Sequence, residues 1–212
     1  MIYSDRAEAG RALAEALRDL DADRPLVLGL PRGGVPVAKE VATALHADLD
    51  IALVRKLGVP WQPELAMGAI GEGGVRILND DVIARAGVTA EQLRDVEAGE
   101  HAELERRARV LRGHRRRIDP RGRVVVVVDD GMATGATAAA GAAVAHTQGA
   151  ARVIVAVPVA PPDAIARLRE HGAGVDAVVC PYIPRDLGGV GAAYADFHQL
   201  TDTEVRDLLL ST

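Results

Sequence analysis

The sequence predicts an α/β fold built on a doubly wound, mainly parallel sheet with helices on both faces. Three observations carry that prediction. Apolar runs of strand length alternate with helix-period segments over most of the 212 residues. Each run is continuously apolar, as in strands buried on both faces, whereas a half-exposed strand alternates. The most uniform run, "VVVVV" at 124–128, is followed at once by "DDGMATGAT", and open parallel sheets bind ligands outside the carboxyl ends of their strands.

The elements follow in order. Ser4 is a fitting N-cap for a helix through Leu20, with Leu13, Leu17 and Leu20 on one face. "LVLGL" (26–30) reads as a buried strand, and "VPVAKEVATALH" as a helix with Pro36 in its first turn. "DIALV" (50–54) is the next strand, and "AMGAI" with "VRIL" around "GEGG" predicts a β-hairpin. Thr89 and Gln92 form a capping box opening a long charged helix to about Arg117. Its apolar stripe (Leu93, Val96, Leu104, Ala108, Leu111) is narrow, so most of it is expected to face water. "DPRGR" breaks that helix before the valine strand. A helix from about Gly135, a strand "RVIVAVPV", a helix near 163–171, a strand "VDAVVC" and a helix opened by Thr201 and Glu204 complete the chain. The expected organisation is a single domain over 1–212, with an insertion at about 60–120 and an irregular segment at about 181–200.

Composition narrows the function. Hydrophobic residues make up 49% and aromatics only 2%, so the core is aliphatic. A net charge of −5 and a pI near 5.7 argue against a general nucleic-acid binder. No stretch approaches the ~20 apolar residues that span a bilayer, and "MIYSDRAEAG" has no signal-peptide core, so no membrane partner and a cytoplasmic location are expected. Cys180 is the only cysteine, which excludes a disulfide framework and a cysteine metal site; it reads as a small buried apolar residue.

The chemistry lies in "DDGMATGAT". Glycines at 131 and 135 let the backbone turn tightly and approach a ligand. N–H groups at the start of the next helix and the Thr134 and Thr137 hydroxyls suit an anion, so Ala133, Thr134, Gly135, Ala136 and Thr137 form a phosphate cradle. Asp129 and Asp130 need another partner. At ~4 Å and an effective dielectric near 20, each would repel a phosphate charge by about 4 kcal/mol. A sugar diol fits, because two carboxylates accept hydrogen bonds from vicinal hydroxyls while the phosphate lies further along the loop. The stretch therefore describes a socket for ribose 5-phosphate. A P-loop needs lysine after the second glycine, where Ala136 stands, and G-x-G-x-x-G is absent.

This stretch resembles the phosphoribosyl pyrophosphate (PRPP) motif of the type I phosphoribosyltransferases: apolar strand, two acids, two intervening residues, then a Thr/Gly-rich loop. The match is specific over some 14 residues, and the element order from about 26 to 180 suits that family's core, in a bacterial branch of unassigned acceptor. The resemblance implies Mg²⁺-dependent pentosyl transfer from PRPP to a small-molecule acceptor, usually a nucleobase, with release of pyrophosphate, in nucleotide metabolism.

It implies further site residues. "GLPRGGVP" would be the pyrophosphate loop, often carrying a cis non-proline peptide, with Arg32, Gly33 and Gly34 as contacts. Arg55 and Lys56 in "VRKLGVP" would add charge beside the pyrophosphate, or else are ordinary surface cations. "GAIGEGG" (68–74) fits either the mobile flap or a plain hairpin turn. Tyr182, Tyr194 and Phe197 lie in a 16-residue window and are either an acceptor platform in a small C-terminal hood or simple packing. "RGHRRR" near the end of the long helix is either a nucleic-acid patch or, as preferred, cations complementing the helix dipole.

The leading expectation is a phosphoribosyltransferase with Asp129, Asp130 and Lys56 as catalytic residues. Mg²⁺ would be carried by PRPP near the two acids, and a homodimer is a further expectation. The alternative is a non-catalytic PRPP- or nucleotide-binding regulator on the same fold.

Overall fold

The structure, a computed structural model, describes residues 2–171 and 174–210. Its centre is a five-stranded parallel sheet of β1 (Leu26–Gly29), β2 (Asp48–Ile51), β6 (Val124–Val128), β7 (Arg152–Ala156) and β8 (Ala177–Val179), in the order β2-β1-β6-β7-β8. The valine run shows why these strands read as unbroken apolar segments. Val126 and Val128 join a core with α1 (Arg6–Ala16), α2 (Gly34–Ala44), α4 (Ala90–Arg112) and α7 (Asp202–Leu210). Val125 and Val127 point the other way, into α5 (Ala136–Thr147) and α6 (Pro162–His171). A period of two residues with both faces covered leaves no position for a polar side chain.

The starts of the six expected helices were legible to within a residue or two, whereas the short helix Asp80–Ala86 was not expected. The capping boxes at Thr89/Gln92 and Thr201/Glu204 are both formed. The first helix differs: Asp5, not Ser4, is its N-cap, accepting from the Glu8 amide at 2.8 Å, and it ends at Ala16, short of Leu20.

The segment between β2 and β6 holds a second sheet, with antiparallel β3 (Val54–Val59), β4 (Gln62–Gly71) and β5 (Val75–Leu78) in that order, followed by α3 (Asp80–Ala86) and α4. The hairpin β4–β5 was expected; β3 was not. The chain leaves the main sheet after Ile51, so Arg55 and Lys56 lie within a strand of the second sheet. Leu57 and Val59 are fully buried there while its cations stay half-exposed, an alternation masked by the apolar residues before it.

The charged end of α4 also departs from expectation. The helix stops at Arg112, before Gly113 (φ 56°), and Arg112 turns inward. Its guanidinium bonds Asp50 Oδ1 at 2.5 Å, both Glu72 oxygens at 2.7 and 2.8 Å, and the Ile51 carbonyl at 2.8 Å. Asp50 is itself buried and accepts the Ile118 amide at 2.9 Å through its other oxygen. A dipole-complementing surface cation is therefore the wrong description of Arg112, which locks both sheets to α4. Among the described residues no helix is long and apolar enough to cross a membrane.

Candidate active site

β1 and β6 are neighbours in register, with Gly29 opposite Val128, so the loops that follow them leave the sheet side by side. The Leu30 amide bonds the Val128 carbonyl at 2.8 Å. From there the two loops touch through glycines. A Cβ on Gly33 would lie 2.0 Å from Asp130 Oδ2, and one on Gly34 would lie 2.5 Å from the Val128 carbonyl oxygen and 2.8 Å from Asp129 Cα. The Pro31–Arg32 peptide is cis.

The two acids sit in different surroundings. Asp129 Oδ1 accepts the Asp130 amide at 2.9 Å. Burial, and next the charge of Asp130, push its carboxyl well above the usual carboxylate range. Asp130 is also raised by burial, although Arg6 Nε at 2.9 Å opposes this. Arg6 lies on α1, far away in sequence; its Nη1 also donates to the His198 carbonyl at 3.0 Å. Nothing local in the sequence marked it for this place.

The loop after the acids crosses to α5. The Met132 amide donates to the Val159 carbonyl at 3.0 Å, and Gly135 takes a left-handed conformation (φ 82°) immediately before the helix. Ala133, Thr134, Ala136 and Thr137 are exposed. The one bond to a threonine hydroxyl here is a long 3.5 Å contact from the Ala136 amide, so the loop offers donors to solvent.

Two hollows adjoin this edge. One of about 540 Å³ is lined by Pro31, Arg55, Lys56 and Thr137, together with Glu100 and Arg107 of α4. A smaller one of about 280 Å³ is lined by Arg6, Arg32, Gly33, Asp130 and Phe197. The cations expected from sequence are paired with acids: Arg55 with Glu100 at 2.5 Å, Lys56 with Glu64 at 3.3 Å, and Arg32 with Asp202 at 3.7 Å.

The sequence model of the "Phosphoribosyl transferase domain" family matches residues 2–181. The chain belongs to this family. It is 51% identical over 204 residues to a Mycobacterium tuberculosis protein (strain H37Rv) provisionally named a phosphoribosyl transferase, and equally to its counterpart in strain CDC 1551. Those alignments cover 96% of this chain and 45% of each relative, so the chain spans under half their length. Among solved structures it resembles the TT1426 protein of Thermus thermophilus, with TM-score 0.91, 44% identity, and 100% and 99% of the two chains covered. The AQ2163 protein of Aquifex aeolicus shares the fold alone, with TM-score 0.52 and 12% identity over 96% and 82% of the chains.

In this phosphoribosyl transferase domain the C-terminal aromatics do not form one open platform. Tyr194 is 3% exposed, packs on Tyr3 (centroids 5.7 Å) and Phe197 (5.0 Å), and its hydroxyl donates to the Asp130 carbonyl. Tyr182 packs partly buried against the same cluster. Phe197 is 37% exposed, with the Arg6 guanidinium 4.0 Å from its ring centroid. Tyr194 thus props the Asp130 loop while Phe197 faces the smaller hollow. Cys180 is only half-buried; its thiol donates to the Tyr182 carbonyl at 3.2 Å, and burial pushes it up to about 11.

The domain's "GAIGEGG" turn is tied down at the other end of the second sheet. Arg112 grips the Glu72 carboxylate, Gln148 and Arg117 donate to its carbonyl at 2.7 and 3.1 Å, and Gly71 lies against Val144. The opposite turn, between β3 and β4, borders the larger hollow through Val59, Pro60 and Pro63, and carries Trp61 at 55% exposure. Among the described residues no cluster of three or more His, Cys, Asp or Glu side chains could hold a metal ion.

Proposed function

We propose that the domain transfers ribose 5-phosphate from PRPP to an acceptor nucleophile, probed first with nucleobases, and releases pyrophosphate. One observation carries the reading: the acid pair, the Gly33–Gly34 loop and the exposed 133–137 loop meet at the carboxyl ends of two adjacent parallel strands, as a ligand joining a diol to phosphates at both ends requires. Asp129 and Asp130 take the ribose hydroxyls. Residues 133–137 take the 5-phosphate with backbone amides and threonine hydroxyls. Arg32, Gly33, Gly34, Arg55 and Lys56 take the pyrophosphate. The chain is read as one phosphoribosyltransferase unit over 1–212, with 60–120 as its insertion and 181–200 as its hood, working in the cytoplasm as a homodimer.

Two neighbouring carboxylates suit Mg²⁺, which is usually held by one or two carboxylates plus substrate phosphates and water. When bound, Mg²⁺ would neutralise charge on the departing pyrophosphate. The chain's own contribution is positioning and electrostatics. Arg6 holds Asp130 and keeps one of its oxygens oriented. Arg55 and Lys56 exchange Glu100 and Glu64 for pyrophosphate oxygens. Water exclusion falls to the β3–β4 turn, whose apolar residues overhang the larger hollow. The deciding experiment measures pyrophosphate release from PRPP and Mg²⁺ across a panel of nucleobases. Release that depends on one acceptor supports the enzyme; PRPP binding without release for any acceptor supports the regulator.

A further inference from the structure

A third hollow, of about 460 Å³, lies where the β4–β5 turn meets the C-terminal end of α5. Arg76, Arg117 and Arg121 line it, and Asp119 is its one carboxylate. α5 has 12 residues; at ~1.5 Å rise each, its two ends are about 18 Å apart. This hollow is therefore remote from the 133–137 loop. We propose that it is a second anion site, taking a small phosphate-bearing ligand with at least two negative charges.

Three guanidinium groups facing one depression repel each other unless something balances them, and the two carboxylates beside them, Glu97 on Arg76 and Asp119, leave one positive charge over. Asp119 is engaged with the backbone, accepting the Arg121 amide at 3.0 Å. Arg76 uses Nε on Glu97 at 2.6 Å, which leaves its terminal nitrogens. Arg117 spends Nη1 on the Glu72 carbonyl at 3.1 Å. Arg121 forms no ion pair among the described residues; its stem lies over Gly149. Guanidinium forks match phosphate oxygens in pairs, which favours a phosphate over a simple halide.

The turn is shaped for this arrangement. Gly73 and Gly74 have φ of 81° and 76°. A Cβ on Gly73 would strike Arg117 Nη1 at 2.7 Å, so only glycine lets that guanidinium lie on the turn. A Cβ on Gly74 would meet nothing within 4 Å, so this part of the turn opens to the hollow. The C-terminal end of α5, which supplies Thr147 and Gln148, opposes an anion; such dipole effects amount to a few-fold in affinity, less than three arginines contribute. The Arg112–Glu72 clamp keeps the turn in place.

The test is a titration of the ¹⁵N-labelled chain with sodium pyrophosphate, without magnesium, at ionic strength held constant with chloride. The amides of Gly73 and Gly74 are expected to shift saturably, and Arg121→Ala to weaken that response at least tenfold while 134–137 respond as in wild type. Arg121→Lys should lose less than Arg121→Ala, which separates lost charge from lost fold. Because the two sets of amides are read separately, an empty 133–137 loop leaves this test intact. Gly73 and Gly74 amides that do not shift, that shift alike in added chloride, or that keep full response in Arg121→Ala would overturn the site. So would a response only to a single-stranded oligonucleotide, which would make the arginines a nucleic-acid patch.

Discussion

Gly33 lies so close to Asp130 that a Cβ at position 33 would fall 2.0 Å from the carboxylate oxygen Oδ2. That oxygen also receives the Arg6 guanidinium at 2.9 Å. The loop assigned to pyrophosphate and the acid assigned to ribose are thus in direct contact. A side chain at position 33 would therefore displace the Asp130 carboxylate.

Gly33→Ala and Gly34→Ala should separate function from stability. The clash at 33 is with the far end of a side chain, which can turn away, so the fold should survive and PRPP affinity should drop at least tenfold. At 34 the clash is with the backbone of residues 128 and 129, and an overpacked site of that kind costs about 1–3 kcal/mol. Thermal melts and calorimetric PRPP titrations on both variants check this. Equal losses of stability at the two positions would sink it.

Asp129→Asn should trade function for stability. Burial raises the Asp129 carboxyl, so the folded state binds a proton more tightly than the unfolded chain does. Stability contributed by this group is then highest in acid and falls as pH rises from the ordinary carboxylate value through the raised folded value. Asparagine removes that loss and can still accept the Asp130 amide. The variant should melt higher than wild type at pH 8, by less at pH 5, and bind PRPP at least tenfold more weakly. Parallel melting curves against pH would remove the argument.

Arg112→Met should be the most damaging change away from the residues assigned to PRPP. It leaves Asp50 and Glu72 without their cation, and breaking a buried pair costs about 3–5 kcal/mol. For a chain of this size that is a fall in Tm of roughly 6–20 °C. Replacing Asp50 by leucine in the same chain should recover part of it, since apolar substitutes for buried ion pairs are often tolerated. A Tm within a degree or two of wild type would show that the cluster is solvated.

What the sequence made legible follows physical range. The valine strand and the capping boxes depend on neighbours in the chain, and each reads correctly from a few residues; the two acids and the small-residue loop stand at that strand's end, where the sequence put them. Arg6 on Asp130, Glu100 on Arg55, and Arg112 between Asp50 and Glu72 join positions 124, 45 and 40–62 residues apart. No local pattern distinguishes those arginines from the many surface ones. The β3 strand was hidden for a different reason: its cations sit within a half-buried edge that follows an apolar run without a break. Tyr194 shows the same limit, since a tyrosine that props a loop and one that stacks a base are the same letter.

Lys56 tests the proposed catalytic assignment most directly, because it lines the larger hollow and pairs there with Glu64, a side chain 94% exposed. An exposed pair of this kind contributes little to stability, so Lys56→Met, which keeps the stem's packing, should leave Tm nearly unchanged. Its effect should appear in transfer. If the ammonium acts mainly on charge developing on the leaving pyrophosphate, kcat falls; if it holds PRPP equally before reaction, KM rises with kcat intact. In either case a loss of about 2–3 kcal/mol in kcat/KM is reasonable for a charge-assisted contact. Glu64→Gln should act in the opposite direction, tightening PRPP by removing the carboxylate that competes for the same ammonium. Where no acceptor has been found, PRPP calorimetry on both variants reads the same pair of signs. Wild-type affinity in Lys56→Met together with no gain in Glu64→Gln would put Lys56 outside the site, and the pyrophosphate would then rest on the Arg32 loop.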